Sequence, residues 1–264
     1  MNSPYTKTIV MPLSIHGDVG KSTVLKMTAA GFTELGIEFE TFDADKDNKT
    51  IHKAFSEKAK NGEPKAEQNS KTGCPIINID RDPQAIVNTV AIERARGIVD
   101  TPARAVAAMF ESFGIEGTQM YFDTFAFNNT LPLFQIPFTD NIKAPETLAL
   151  VHQYLDPLDF SFYEPGFVAK IQIIINNGLM NAKSTAMVPL AMQALQESIA
   201  LKALQNDPRF QVSIHTVRTQ LTQPGINALA GKTIHQALSE KQDPAVKTLL
   251  NRLLMEGKAI ASAI

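Results

Sequence analysis

A single cysteine, Cys74, excludes an intramolecular disulfide and a zinc site built from several cysteines, and it fits a reducing, cytoplasmic compartment. Charge of one sign is not in excess either. The 25 basic and 27 acidic residues give a formal net charge of −2, so no global positive field draws the chain to nucleic acid or anionic lipid, and any such binding needs a local patch. His52, His152, His215 and His235 are scattered without a metal-ligand spacing. No uninterrupted apolar stretch reaches the roughly 18 residues that suggest a membrane-spanning helix. The apolar run from Ile9 to Ile15 is interrupted by Pro12 and lacks a small-residue cleavage pattern, so it reads as a strand rather than a signal peptide. No repeat of solenoid period is present.

What is there is the balance of an ordinary globule: 44% hydrophobic and 20% charged residues in 264, enough to bury a full core. One domain over residues 1–264 is expected, because α/β chains of this length often form a single sheet. Residues 8–14 (TIVMPLS) predict a first strand, Ser22 to Leu35 a helix packed on it, and Ile37 to Phe42 a second strand ended by Asp43. Residues 57–73 are almost wholly polar, with Gly62 and Pro64 as breakers, and predict a solvated loop or insertion. A short apolar run follows at residues 75–79, then a helical pattern at 83–94 and a buried strand, RGIVD, at 96–100. Helices are expected at 103–113 and 145–155, strands at 131–138 and 168–175. A helical region at 184–205, a strand at 210–214 and closing helices at 232–258 complete the pattern. The alternation predicts a doubly wound, mostly parallel sheet flanked by helices.

The chemistry concentrates between the first strand and first helix, at His16-Gly17-Asp18-Val19-Gly20-Lys21-Ser22-Thr23. Glycines let backbone amides turn inward around phosphate oxygens, a helix N-terminus adds partial positive charge, and Lys21 adds a full one. Ser22 can then ligate magnesium. The usual pattern has a glycine where Ile15 stands, so the loop is a variant. Two acids end strands at the edge where such a loop sits: Asp43 could orient an attacking water or join the magnesium shell, and Asp100 could hold magnesium through water.

Together, Gly17 to Thr23, Asp43-Ala44-Asp45 and Ile98-Val99-Asp100-Thr101-Pro102 resemble, in order and spacing, the ParA/MinD family of deviant Walker P-loop ATPases. Weaker matches extend the resemblance: Phe134 to Asp140 looks like the fourth core strand with its loop, and Ile173 to Asn177 like the strand ending in an adenine-contacting asparagine. The resemblance implies a P-loop NTPase fold of the SIMIBI type with ATP and Mg2+ as ligands. It implies that Lys21 contacts the β and γ phosphates, Ser22 ligates magnesium, Thr23 bonds the α phosphate, Asp43 serves hydrolysis and Asp100 magnesium. Asn176 or Asn177 would read adenine, and Thr216 to Arg218 would pass near the base. His16 stands where the family carries a lysine that reaches across a nucleotide-sandwiched dimer, and Asp18 replaces the second glycine. The residues from Asp43 to Leu155 look closest to the subgroup associated with plasmid stability and conjugative or mobilisation operons.

The implied function is an ATP-controlled dimerisation switch that positions or partitions DNA cargo, working as a homodimer with an adaptor protein. Nonspecific DNA binding would need a basic surface from Lys202, Arg209, Arg218, Lys232, Lys247 and Arg252. The stripe Val246, Leu249, Leu250, Leu253 and Leu254 in the last helix reads as core packing rather than a membrane anchor. Two alternatives stay open. One is an ATP-dependent small-molecule enzyme on the same fold, for which Asp45, Lys46 and Arg104 are the available polar groups. The other is a nucleotide-binding module with little hydrolysis, suggested by His16 and Asp18.

Overall fold

The computed structural model describes residues 4–15, 20–79, 81–82, 84–103, 105–138, 143–176 and 188–264. Among these, six strands form one sheet: β1 (Lys7–Pro12), β2 (Phe39–Asp43), β3 (Arg96–Asp100), β4 (Thr130–Phe138), β5 (Ala169–Asn176) and β6 (Phe210–Val217). The order is β2-β3-β1-β4-β5-β6 and every pairing is parallel. The helices are α1 (Lys21–Glu34), α2 (Thr50–Phe55), α3 (Ala85–Asn88), α4 (Ala105–Phe127), α5 (Lys143–Leu155), α6 (Val188–Glu197), α7 (Ile199–Asn206), α8 (Gln223–Leu229), α9 (Ile234–Ser239) and α10 (Pro244–Ala261). None is long and apolar enough to cross a membrane.

Parallel strands covered on both faces are mostly apolar along their length, and alternate residues then serve opposite cores. Ile9 and Met11 of β1, Phe134 and Ile136 of β4, and Ile171, Ile173 and Ile175 of β5 face a core closed by α4, α5, α6 and α7. Val10, Leu133 and Ile174 point the other way, towards α1, α2 and the closing helices α8 to α10. The doubly wound α/β expectation is therefore met. The stripe of α10 is a packing face: Val246, Leu250 and Leu253 are buried in that second core. Here α10 lies so close on α1 that a Cβ on Gly31 would stand 2.2 Å from the Gly257 carbonyl oxygen, and one on Gly257 2.2 Å from that of Met27.

Polar groups thread the apolar interior. The Gln135 side-chain amide donates to Thr28 Oγ1 of α1 (2.9 Å) and to Gln172 Oε1 (2.7 Å), and Gln172 Nε2 donates to the Ile260 carbonyl of α10 (3.2 Å). Lys26, buried in α1, donates to the Leu229 carbonyl at 2.8 Å. Burial lowers its pKa to about 8, against a smaller raising effect of Asp100.

The structure corrects several expected elements. The helix expected over 83–94 shrinks to the four residues of α3. Its β-branched residues Val87, Thr89, Val90 and Ile92 favour other conformations, and the buried Glu40 carboxylate captures the Glu93 and Arg94 amides at 2.7 and 3.2 Å, holding that stretch against β2. The helix expected at 103–113 runs on to Phe127 past Gly114, whose φ of 61° interrupts it and suits a residue without Cβ. The region 184–205 divides at Ser198, which caps α7 by accepting from the Leu201 amide. No helix was expected at α8. The polar stretch 57–73 contains no helix or strand, and the apolar run after it forms a single bridge, Asp43 with Ile76. The Ser70 and Pro75 carbonyls accept from the Thr41 and Asp43 amides at 3.0 Å, so this loop covers the open edge of β2 and removes a template for unwanted strand pairing.

Candidate functional site

The site lies where β1, β2 and β3 end and α1 begins. Gly20 caps α1 at φ 82°, ψ 18°, a left-handed conformation that glycine adopts without steric cost. The first helical residue is Lys21, and its side chain is buried although charged. The helix N-terminus leaves backbone N–H groups without intrahelical acceptors, so Lys21 and the dipole together make this corner a place for anions.

One residue on, Ser22 Oγ donates to Asp100 Oδ2 at 2.8 Å. Asp100 is the last residue of β3, pairs in register with Asp43 of β2, and is 1% exposed. Its Oδ1 is buried and has no hydrogen-bond partner. Burial first, and then the Asp43 charge, push its pKa up to about 7, against the lowering effects of Ser22 and Lys21. A carboxylate held like this is short of positive charge. Among the described residues no cluster of three or more His, Cys, Asp or Glu side chains could cage a metal. The donors beside α1 are one carboxylate and one hydroxyl, a set that suits magnesium, which keeps water and phosphate ligands in place of a protein cage. The orphaned Oδ1 is the kind of acceptor a bound cation or its water satisfies.

Asp43, expected to orient an attacking water or join the magnesium shell, ends β2 beside Asp100. It is fully buried, its Oδ1 accepts from the Asp45 amide (2.9 Å) and its Oδ2 from the His52 amide (2.8 Å). Burial raises its pKa, opposed by those amides. In this arrangement the carboxylate fastens the β2–α2 loop. Asp45 continues the same pattern, accepting from the amides of Asp47 (3.2 Å) and Asn48 (3.1 Å). Of the other expected residues, Thr23 sits in the first turn of α1 and Asn176 is buried at the end of β5, paired in register with Val217. Beyond β6, the amides of Arg218 and Thr219 donate to the Glu256 carboxylate of α10. His16, Gly17, Asp18, Val19, Asn177 and Arg104 lie outside the described residues.

The six basic residues do not form one surface. Lys202 sits on α7, across the sheet from Lys247 and Arg252 on α10. Arg209 is engaged by Asp207 and by the Asp156 and Leu158 carbonyls, and Lys232 pairs with Glu240 at 2.6 Å. Arg218 and Arg252 alone share a groove, of about 750 Å³.

Sequence reading missed Thr101 as more than a breaker. Its buried hydroxyl donates to the Pro12 carbonyl at 2.5 Å. A hydroxyl residue directly after a strand-ending acid was the available signal.

The raised pKa of Asp100 has a measurable consequence. The unfolded chain protonates an aspartate near pH 4 and the folded chain protonates this one at about 7. The stability it contributes is therefore full below the unfolded value and is lost as pH rises through 7. Asp100→Asn should shrink the difference in unfolding free energy between about pH 5 and about pH 8 by roughly 2–3 kcal/mol. Denaturant melts of the nucleotide-free protein measure this, and an unchanged difference refutes the assignment.

No protein-family model matches the chain, and no curated protein does. Similar solved structures include Cyanothece McdA in complex with ATP, 13% identical over 96% of each chain with a TM-score of 0.48. The MinC:MinD cell division protein complex of Aquifex aeolicus is 15% identical over 94% of each chain, with a TM-score of 0.45. The pNOB8 ParA structure is 13% identical over 97% of this chain and 99% of that one, also with a TM-score of 0.45.

Proposed function

We propose that this chain is a magnesium-dependent ATPase whose ATP-bound form pairs two copies and whose hydrolysis separates them, in the positioning or partition of DNA cargo. The observation that carries the nucleotide site is the Ser22–Asp100 hydrogen bond at the start of α1, beside buried Lys21. It joins the magnesium-ligating hydroxyl and the strand-end acid that phosphoryl-transfer sites of this type need, and it does so with an acceptor left over on Asp100. The switch, the homodimer, the adaptor and the DNA cargo rest on the sequence resemblance of the three motifs. Magnesium, when bound, would supply positive charge that offsets that of the phosphates. Ser22 and Asp100 hold it, Lys21 neutralises phosphate, and Asn176 or Asn177 meets the base.

Hydrolysis is slow in this reading for a physical reason. Asp43 is fully buried and each of its oxygens already accepts a backbone amide, so an attacking water reaches it only after the β2–α2 loop shifts, which strains hydrogen bonds to a buried carboxylate. The same lock favours, as a second reading, a binding module with little turnover; single-turnover measurement of ATP cleavage separates the two.

Light scattering with ADP, ATP and a nonhydrolysable analogue tests the switch. A dimer with ATP and the analogue, and a monomer with ADP, is the expected result. A protein that binds ATP yet stays monomeric throughout overturns the switch.

A further inference from the structure

We infer that Thr101 is a positioning residue for the divalent cation of the proposed ATP site, on which this inference rests. Its hydroxyl ties the residue after the strand-end acid to the end of β1.

Asp100 has to stay at a set distance from Ser22 to share a cation with it. Yet the two belong to different elements, β3 and α1, joined through the end of β1. The register pairs of β1 with β3 run from Thr8–Arg96 to Val10–Ile98. Beyond them stands Pro12, which has no N–H to donate. At that level the buried Thr101 hydroxyl donates to the Pro12 carbonyl, 2.5 Å away and 89 residues distant in the chain. On its far side β1 is held by the Leu13 amide, which donates to the Gln135 carbonyl at 2.7 Å. The Asp100 carbonyl in turn accepts from the Ala44 amide at 2.8 Å.

The ends of β2, β3 and β1 are thus tied laterally, and the Thr101 hydroxyl makes the tie between β3 and β1. The side chain next to Asp100 is thereby anchored to the last residue of β1. Loss of the hydroxyl leaves the Pro12 carbonyl short of a donor and frees Asp100 to shift relative to Ser22. Phosphate binding by Lys21 and the backbone of α1 does not need this tie, whereas a cation shared between Ser22 and Asp100 does.

Calorimetric titration of ATP, in magnesium and in EDTA, into the wild type, Thr101→Val and Thr101→Ser provides the test. Orienting groups behind a metal ligand typically change metal affinity by about 10- to 100-fold. Thr101→Val should lose that factor from the tightening magnesium confers, keep its affinity in EDTA within about twofold, and be restored by Thr101→Ser. The inference is overturned if Thr101→Val retains the magnesium effect, or if both affinities fall equally, as a merely structural role would give. Should Thr101→Val fail to fold, Thr101→Ala, which sets no extra methyl against the carbonyl, is judged by the same criteria. A wild type that binds no ATP in either condition overturns the ATP site itself, whereas a failure confined to the variants overturns only the role of Thr101.

Discussion

Lys21→Ala should bind ATP about 10- to 150-fold more weakly than the wild type and show no measurable turnover. A hydrogen bond to a charged group contributes about 1.5–3 kcal/mol, and more in a site with little water. Lys21 is buried at the first position of α1, so its charge acts where solvent screens it weakly. No other lysine or arginine occupies the described part of α1 near its start; Lys26 lies further along and is spent on the Leu229 carbonyl. The loss therefore has no substitute. Removing Lys21 also removes one of the influences that hold the Asp100 pKa down, so the acid keeps its proton to higher pH and magnesium binding suffers in the same direction. Calorimetry and a phosphate-release assay measure both effects. An alanine variant that binds ATP within about threefold of the wild type would show that the anion site lies elsewhere.

Gly257→Ala should lower the melting temperature by roughly 6–12 °C, the equivalent of about 3 kcal/mol for a chain of this size. Alanine is the better helix former, by about 1 kcal/mol. That gain is overwhelmed because the new methyl would lie 2.2 Å from the Met27 carbonyl oxygen and 2.8 Å from its carbonyl carbon. These are backbone atoms of α1, so no side chain can rotate away; the helices must separate, and overpacking of this sort costs 1–3 kcal/mol or more. Separation would also strip Val24, Met27 and Ala30 from the core they share with Leu250, Leu253 and Ile260. Thermal unfolding followed by circular dichroism decides it. A melting point within about 2 °C of the wild type would mean that α10 does not lie on α1 as described.

The strands were legible because burial on both faces leaves little choice of residue: TIVMPLS, RGIVD and IQIIIN are mostly apolar, with Gln172 a buried exception inside its strand. The helices were less so. Nothing local in residues 83–94 announces that Glu40 will take the amides of Glu93 and Arg94, some fifty residues away, and end a helical pattern early. At the site, Lys21, Ser22 and Asp100 could be picked out because a phosphate loop imposes residue types at fixed spacing. The state of Asp43 could not, since the His52 amide that reaches it comes from α2, beyond the intervening loop. Residue identity announces a carboxylate; whether its lone pairs are already occupied is decided by the tertiary fold. The six candidate basic residues illustrate the same limit, for their separation onto two sides of the sheet depends on crossovers that spacing alone does not reveal.

The buried glutamine pair has a consequence for how the chain finds this sheet. β4 and β5 meet through mostly apolar runs, Leu133 to Phe138 against Lys170 to Ile175, and apolar surfaces discriminate poorly between alignments offset by two positions, which keep every side chain on its own face. Gln135 and Gln172 stand opposite each other in that ladder. An offset of two would part their amides inside a dry interior, and each stranded polar group costs about 1–3 kcal/mol. The pair acts as a key cut into a largely apolar edge, since the observed alignment of β4 on β5 is the one that brings Gln135 Nε2 to donate to Gln172 Oε1.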